Sequence, residues 1–138
     1  MVILALTVAL LTVVGGVLAQ ATPPPDAAIP PGVWQLVAFT PANGEAVPIA
    51  DPSRYTLQFL PEGELAAQVD CNRGRGSYTA GAGAFTVTPL ATTRMYCGDA
   101  SHDAEFLQLL ASATSYQIDG EGALILSGSA GMLRLRLG

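Results

Sequence analysis

Apolar and polar residues alternate over much of the chain after residue 32, and a period of two is typical of β-strands. The clearest case is residues 54–60, which read RYTLQFL and place an apolar side chain at every second position. Pro61–Gly63 supplies a tight turn, and residues 64–69 repeat the alternation, so these two segments are predicted to form a hairpin. The other predicted strands are residues 33–39, 77–79, 85–88, 114–119, 123–127 and 132–137.

One segment has helical spacing instead. This spacing predicts a helix over residues 101–113, with Ser101 as the N-cap. The apolar positions of the helix are Phe106, Leu107, Leu110 and Ala113. Seven or eight short strands joined mostly by turns predict a mainly β (α+β) fold. We expect a small curled antiparallel sheet or a partly open β-barrel, with the α-helix packed against it to plug an end or cover a seam.

The N-terminal part of the chain is organised differently. Residues 2–19 lack charge and proline and consist mainly of Leu, Val, Ile and Ala, which is typical of the apolar region of a secretory signal. We interpret residues 1–21 as a signal peptide. No Lys or Arg precedes the apolar run, as a signal peptide usually has. Because the length of the run is near the minimum for a membrane span, an uncleaved anchor stays open. Residues 22–32 form a proline-rich linker, and residues 33–138 are predicted to be one domain.

Composition narrows the classes of partner. The chain has 11 Asp and Glu residues against 6 basic residues, all of them Arg, so its net charge is −5. An acidic surface disfavours nucleic acid, whose phosphate backbone needs clustered positive charge. One His and two Cys are too few for the richer metal sites. We therefore expect neither a nucleic-acid partner, nor a bound metal, nor a cofactor.

Cys71 and Cys97 are the only cysteines of the chain. In an exported protein, a single pair predicts a disulfide bond. No Cys-x-x-Cys spacing is present, and neither cysteine has a neighbouring His or Lys, as a redox-active pair would need. A structural disulfide is the favoured interpretation.

Five short motifs occur in order along the predicted domain. They are Trp-Gln-Leu from Trp34, Y-x-L-x-F-x-x-x-G from Tyr55, C-N-x-x-x-G-x-Y from Cys71, T-x-M-x-C from Thr93, and Glu-Phe-Leu from Glu105. This ordered set resembles the META domain, also called the HslJ-like domain, over residues 33–137. The resemblance implies a small β-rich fold with one helix.

The resemblance also implies a cellular setting. META domains occur in bacterial envelope and secreted proteins, with members linked to heat induction, antibiotic resistance, virulence or motility, and their molecular activity is largely unassigned. We therefore expect an exported, non-catalytic protein of the periplasm, cell envelope or exterior, serving in stress tolerance or protein interaction. It is expected to be a monomer, in contact with the membrane only through an uncleaved N-terminal segment. The alternative is a small apolar ligand bound inside the barrel.

The residues of the cysteine motifs have physical interpretations. Asn72 is expected in a strand-ending turn held by the disulfide, because Asn tolerates left-handed backbone geometry. Gly76 is expected to permit a tight loop beside the cross-link. Tyr78 is expected to bury its ring. Thr93 and Met95 alternate toward the second cysteine, so they are predicted to share its face and pack under the bridge.

Candidate chemistry is limited to a few side chains. His102 is predicted to be a solvated residue of the first helical turn, since a general base needs an orienting carboxylate and a nucleophile nearby. No catalytic residue is predicted. Arg73 and Arg75 lie in an Arg-Gly-Arg-Gly run that we interpret as a glycine-rich loop, which could bind an anion or a carboxylate-bearing partner or serve only solubility. Arg134 and Arg136 are predicted on a solvated strand face.

Overall fold

The computed structural model describes residues 15–16 and 28–138. The interpretation of residues 1–21 as a signal peptide, and most of the predicted linker, fall outside the described residues. In the part of the chain that is described, no helix has the length and apolar character needed to cross a membrane.

Residues 28–138 form ten strands and one α-helix, and each predicted element overlaps an observed one. The helix α1 spans Asp103–Ser112. The strands are β1 Val33–Pro41, β2 Val47–Pro48, β3 Tyr55–Phe59, β4 Glu64–Val69, β5 Asn72–Gly81, β6 Ala84–Val87, β7 Ala91–Thr92, β8 Ala113–Ile118, β9 Leu124–Gly128 and β10 Gly131–Leu137. Strands β2 and β7 have two residues each, too few for an alternating pattern to predict them.

Eight of the strands form a closed antiparallel barrel. Their order is β10-β9-β8-β6-β5-β4-β3-β1, and pairing of β1 with β10 closes the ring. Strand β2 pairs with β1, and β7 pairs with β5. The predicted mainly β fold with one helix is confirmed, and the sheet closes on itself, which removes the free edges that a small open sheet would expose.

A bulge in β1 changes which side chains face the core. The alternation predicts a shared face for Trp34, Leu36 and Ala38, but the register with β10 shifts between Leu36 and Ala38. Phe39 is consequently buried in place of Ala38. One extra residue in a strand reverses the side-chain alternation beyond it, and the period of the sequence does not reveal where that happens.

The interior of the barrel is filled with side chains. Trp34 and Phe85 are almost completely buried, and so are leucines from β1, β3, β4, β9 and β10. The indole Nε1 of Trp34 donates a hydrogen bond to the carbonyl oxygen of Pro30 at 3.0 Å, so the end of the linker is held against the barrel. This packing gives no support to the alternative of an apolar ligand inside the barrel.

The helix covers one end of the barrel, against β4, β6, β9 and β10. Its buried residues are Phe106, Leu109 and Leu110, whereas Leu107 is only half-buried. The prediction of Ser101 as N-cap is wrong by one position, because His102 occupies the cap without a side-chain bond. The Ser101 hydroxyl nevertheless accepts a hydrogen bond from the amide of Asp103 at 3.2 Å.

Candidate functional site

The predicted disulfide between Cys71 and Cys97 is present, with Cα atoms 5.5 Å apart. Cys71 lies in the two-residue turn that joins β4 to β5. Its neighbour in this turn, Asp70, has a φ of 57°, a left-handed conformation that Asp tolerates better than most residues. The bond ties this turn to residues 93–101, the irregular segment that leads into α1.

Asn72 is the centre of a hydrogen-bond cluster beside the disulfide. Its side chain is buried, and its Oδ1 accepts from the amide of Met95 at 2.7 Å and from the hydroxyl of Thr93 at 2.9 Å. Its Nδ2 donates to the carbonyl of Met95 at 2.9 Å and to Sγ of Cys97 at 3.3 Å. The prediction of a strand-ending turn at Asn72 is therefore wrong, because Asn72 begins β5. Its side-chain amide pairs with the backbone of Met95 as a peptide group would.

The prediction that Met95 packs under the disulfide is also wrong. Its side chain is 59% exposed, and only its backbone is held by Asn72. Residues after Thr92 leave the strand conformation, so the alternation that suggested a shared face with the second cysteine does not apply. Thr93 contributes its hydroxyl, which also accepts a hydrogen bond from the amide of Arg73 at 3.0 Å.

Gly76 serves a close approach between chain segments and not a tight loop, which corrects the prediction. It lies within β5, paired with Leu65 of β4. A Cβ atom at Gly76 would lie 2.7 Å from Cδ2 of Leu90, and one at Gly74 would lie 3.0 Å from Cγ2 of Thr92. The two glycines therefore let the segment that contains β7 pack directly on β5.

The aromatic residues of the motifs help to build the core. Trp34 is fully buried, as described above. The ring of Tyr78 is half-buried and lies against Phe59, with centroids 4.8 Å apart, and against Phe85, with centroids 6.4 Å apart. Both residues therefore support the barrel, and the ring of Tyr78 is buried only in part.

A cleft of about 390 Å³ lies beside the disulfide, with Cys97 in its lining. Asp70 is buried there and forms an ion pair with Arg54. The hydroxyl of Tyr55 donates to Oδ2 of Asp70 at 3.2 Å, and it accepts from the backbone amide of His102 at 2.9 Å. This chain of contacts fastens the start of α1 to the barrel.

The ring of His102 takes no part in that network. It packs edge-on against Phe39, with centroids 5.2 Å apart. Within the described residues its Nδ1 makes no hydrogen bond, and the carboxylate of Glu105 is 3.9 Å away. Among the described residues, His102 therefore lacks the carboxylate hydrogen bond that orients the histidine of a Ser-His-Asp triad.

The surroundings of Asp70 hold its pKa below the ordinary value. Burial by itself raises this pKa, because it disfavours the charged form. Hydrogen bonds from the side chains of Ser101, Arg54 and Tyr55, with the positive charge of Arg54, lower the pKa by more than burial raises it. Asp70 is thus a buried carboxylate whose charge is satisfied by its own chain.

Arg73 and Arg75 lie on strand β5, so the predicted glycine-rich loop is wrong. The alternation of the strand points both side chains outward, and Gly74 between them is buried. Within residues 28–138, no carboxylate lies within 4.0 Å of either guanidinium group. Among the described residues, these two cations therefore face solvent without an ion-pair partner.

The two arginines border a cleft of about 350 Å³ on the outer wall of the barrel, which we call the arginine cleft. Ala66 leaves a depression between longer side chains, because it contributes only a methyl group. Cross-strand register places the walls in two parallel rows, which are Thr56–Gln68–Arg73 and Gln58–Ala66–Arg75. Val33, Ala67, Gly74 and Ala91 complete the lining.

Comparison with known proteins identifies the domain. A family model of the META domain matches residues 27–137. The chain belongs to the META domain family. The resemblance carried by the five sequence motifs is thereby confirmed.

Two solved structures resemble this META domain protein. An NMR structure of a protein from Burkholderia xenovorans is 25% identical, with a TM-score of 0.62 over 80% of this chain and 83% of the other. The crystal structure of a DUF4847 family protein from Bacteroides vulgatus is 18% identical, with a TM-score of 0.54 over 78% of this chain and 92% of the other. No protein with a curated description matches the chain.

The remaining arginines of the META domain strands differ from the pair on β5. Arg134 lies 2.7 Å from the carboxylate of Asp119 and 2.6 Å from that of Glu121, and Arg136 lies 3.2 Å from Glu121. They are on the predicted strand face, where acidic residues of the β8–β9 turn neutralise them. Asp119 has a lowered pKa, chiefly because its carboxylate accepts a hydrogen bond from the amide of Ala123.

Sequence reasoning missed the ion pair of Arg54 and Asp70 in this META domain. A signal for it exists, since the predicted hairpin pairs Tyr55 with Val69 and thereby places residues 54 and 70 in the next opposed position. Two opposite charges at opposed positions of a hairpin indicate an ion pair. Burial of the carboxylate was not predictable, because it depends on the later segment 97–102 that covers it.

We expect Asp70 to make the stability of the META domain depend on acidity. The pKa of Asp70 is lower in the folded than in the unfolded chain, so its charged form stabilises the fold. This contribution to the free energy of unfolding is fully present above the unfolded pKa of about 3.9, and it is lost as pH falls through the folded pKa. Thermal unfolding at pH 6, 4 and 3 should show a smaller decrease in Tm for Asp70→Asn than for the unmodified protein. The pKa of Asp119 is also lowered, so Asp119→Asn is measured in parallel to separate its share of the pH dependence from that of Asp70. Parallel pH profiles for Asp70→Asn and the unmodified protein would contradict the assignment.

Proposed function

We propose that this META domain protein is exported and acts outside the cytoplasm as a non-catalytic module that binds another protein, in an envelope role such as stress tolerance. The uncharged apolar run of residues 2–19 supports export. The Cys71–Cys97 disulfide also supports it, because such bonds persist in oxidising compartments.

The observation that carries the binding role is the unpaired cationic pair at the arginine cleft. The chain has a net charge of −5, yet Arg73 and Arg75 extend from one strand beside a depression, and within the described residues neither has an acidic partner. In the cleft beside the disulfide, by contrast, Arg54 and Asp70 already satisfy each other. A carboxylate from another molecule can form charge-assisted hydrogen bonds only where guanidinium groups are still available.

The proposed partner is a protein that presents acidic groups, and we expect the arginine cleft to determine its binding. Arg73→Ala combined with Arg75→Ala should weaken capture of that partner from an envelope extract by about tenfold or more, since one charge-assisted hydrogen bond contributes about 1.5–3 kcal/mol. Both side chains are exposed, so Tm should change by no more than about 2 °C. Capture is measured by quantitative mass spectrometry under oxidising conditions.

The matched control is Arg94→Ala combined with Arg136→Ala. It removes the same positive charge from two exposed positions that do not line the arginine cleft. Capture that falls equally in the control would indicate a general effect of net charge. Capture unchanged in the Arg73→Ala and Arg75→Ala variant would refute the proposed binding face.

A further inference from the structure

The spacing of the two arginines restricts the shape of a ligand. Arg73 and Arg75 are alternate residues of β5, so their Cα atoms are about 6.6 Å apart on the same side of the strand. Alternate side chains of any extended peptide repeat at this same distance. Two carboxylates carried by alternate residues of an extended segment therefore match the two guanidinium groups, and adjacent carboxylates, which point to opposite sides, do not.

We infer that the arginine cleft binds an extended acidic peptide segment with carboxylates at alternate positions. This inference rests on the proposed binding function and names the chemistry of the partner. The ligand strand lies along β5, with one carboxylate on Arg73 and the next on Arg75. Its intervening side chain points away from the barrel.

The rest of the cleft fits such a segment. Its volume of about 350 Å³ is near the lower end of the roughly 300–1,000 Å³ range of ligand pockets, which suits two or three residues. The Ala66 methyl group offers an apolar floor for side-chain methylene groups. Gln68 also lines the cleft, and while its Nε2 donates to the carbonyl of Asp70 at 2.6 Å, its side-chain carbonyl can act as an acceptor for a peptide amide.

The lining favours a peptide over a ligand made of rings. Within the described residues, those that line the cleft include no aromatic side chain, so stacking against a base or another flat ring is not available. The lining instead offers two guanidinium groups with amide and hydroxyl groups from Gln58, Gln68 and Thr56. Because the contacts are between charged groups at the surface, binding should weaken as salt rises.

Two synthetic peptides of equal composition test the inference on the full domain. The first is acetyl-Thr-Asp-Thr-Asp-Thr-amide, and the second is acetyl-Thr-Asp-Asp-Thr-Thr-amide. We expect the first to bind about tenfold more tightly in titration calorimetry, as the difference of one charge-assisted contact implies. Arg73→Ala and Arg75→Ala should each abolish this preference.

A variant that fills the cleft separates shape from charge. Ala66→Gln keeps both arginines but places a longer side chain on the floor, and it should lower the affinity for the first peptide at least tenfold. Ala84→Gln makes the same addition at an exposed position of β6 and should leave binding unchanged. The Arg73→Ala and Arg75→Ala measurements decide the question if Ala66→Gln lowers Tm.

Equal affinity for the two peptides overturns the inference, and so does binding of an oligosaccharide of uronic acids without binding of either peptide. Failure of the inference is distinguishable from failure of the proposed function. Suppose that partner capture depends on Arg73 and Arg75 but the first peptide does not compete with it. That outcome supports the proposed function and refutes the peptide assignment. Capture that is independent of both arginines refutes the proposed function.

Discussion

Removal of the Cys71–Cys97 disulfide is expected to lower the free energy of unfolding by about 3.5 kcal/mol and Tm by roughly 15 °C. The bond joins residues separated by 26 positions, and without it the unfolded chain gains the conformational freedom of that loop. The loss is large because a domain of this size is stable by only about 5–15 kcal/mol. The folded state also loses the link between the β4–β5 turn and the segment that leads into α1.

The measurement is thermal unfolding of the Cys71→Ser and Cys97→Ser double variant beside the unmodified protein, each with and without reductant. Reductant should lower the Tm of the unmodified protein toward that of the variant and leave the variant itself unchanged. A difference in Tm below about 3 °C would show that the bond contributes little to stability, contrary to the chain-entropy argument. Alkylation and mass spectrometry of the secreted protein should find no free thiol, and two free thiols would rule out the bond in the exported form.

Replacement of Asn72 by alanine is the substitution with the next largest expected effect, about 3 kcal/mol. Asn72→Ala removes three partly buried hydrogen bonds, two to the backbone of Met95 and one to the hydroxyl of Thr93, and each contributes roughly 1 kcal/mol. The effect should exceed that of an ordinary buried hydrogen bond, because one side chain pairs with several groups of the same segment. Chemical denaturation gives the free energy directly.

Asn43→Ala serves as the matched control, since Asn43 lies exposed in the turn after β1 and its loss should change stability by less than about 0.5 kcal/mol. The cysteine double variant supplies a second test. Asn72 and the disulfide hold the same segment, so Asn72→Ala should have a smaller effect when the disulfide is absent. Additive effects would mean that the two act independently, and a loss below about 1 kcal/mol would contradict the role of Asn72 as the centre of the cluster.

Local patterns in the sequence were sufficient to predict most of the strands and the helix of this META domain. The alternation in residues 54–60 and 64–69, with the turn between them, predicts β3 and β4 almost residue for residue. Helical spacing predicts α1 with an error of two residues at its start. Such patterns succeed because the side-chain period of a strand or helix depends only on neighbouring residues.

The position of the candidate site required the tertiary structure. Arg73 and Arg75 stand out in the sequence, but the glycines beside them suggested a loop, since glycine is frequent in turns. In the barrel, those glycines leave space for the side chains of Leu90 and Thr92, and the arginines lie within a strand. Ala66 has no distinguishing feature in the sequence, and it becomes the floor of a cleft only because β3 and β5 pair on either side of β4.

The amino-acid sequence by itself determined the strand and helix segments, the single pair of cysteines available to form a disulfide, and the motifs that place the chain in the META family. Only the tertiary structure decided that the sheet closes, because closure joins Trp34 to Leu137 from opposite ends of the domain. It also decided which charges of the described residues form ion pairs with one another and which do not. Ion pairing depends on distances of a few ångströms between segments remote in the chain, and no local period encodes those distances.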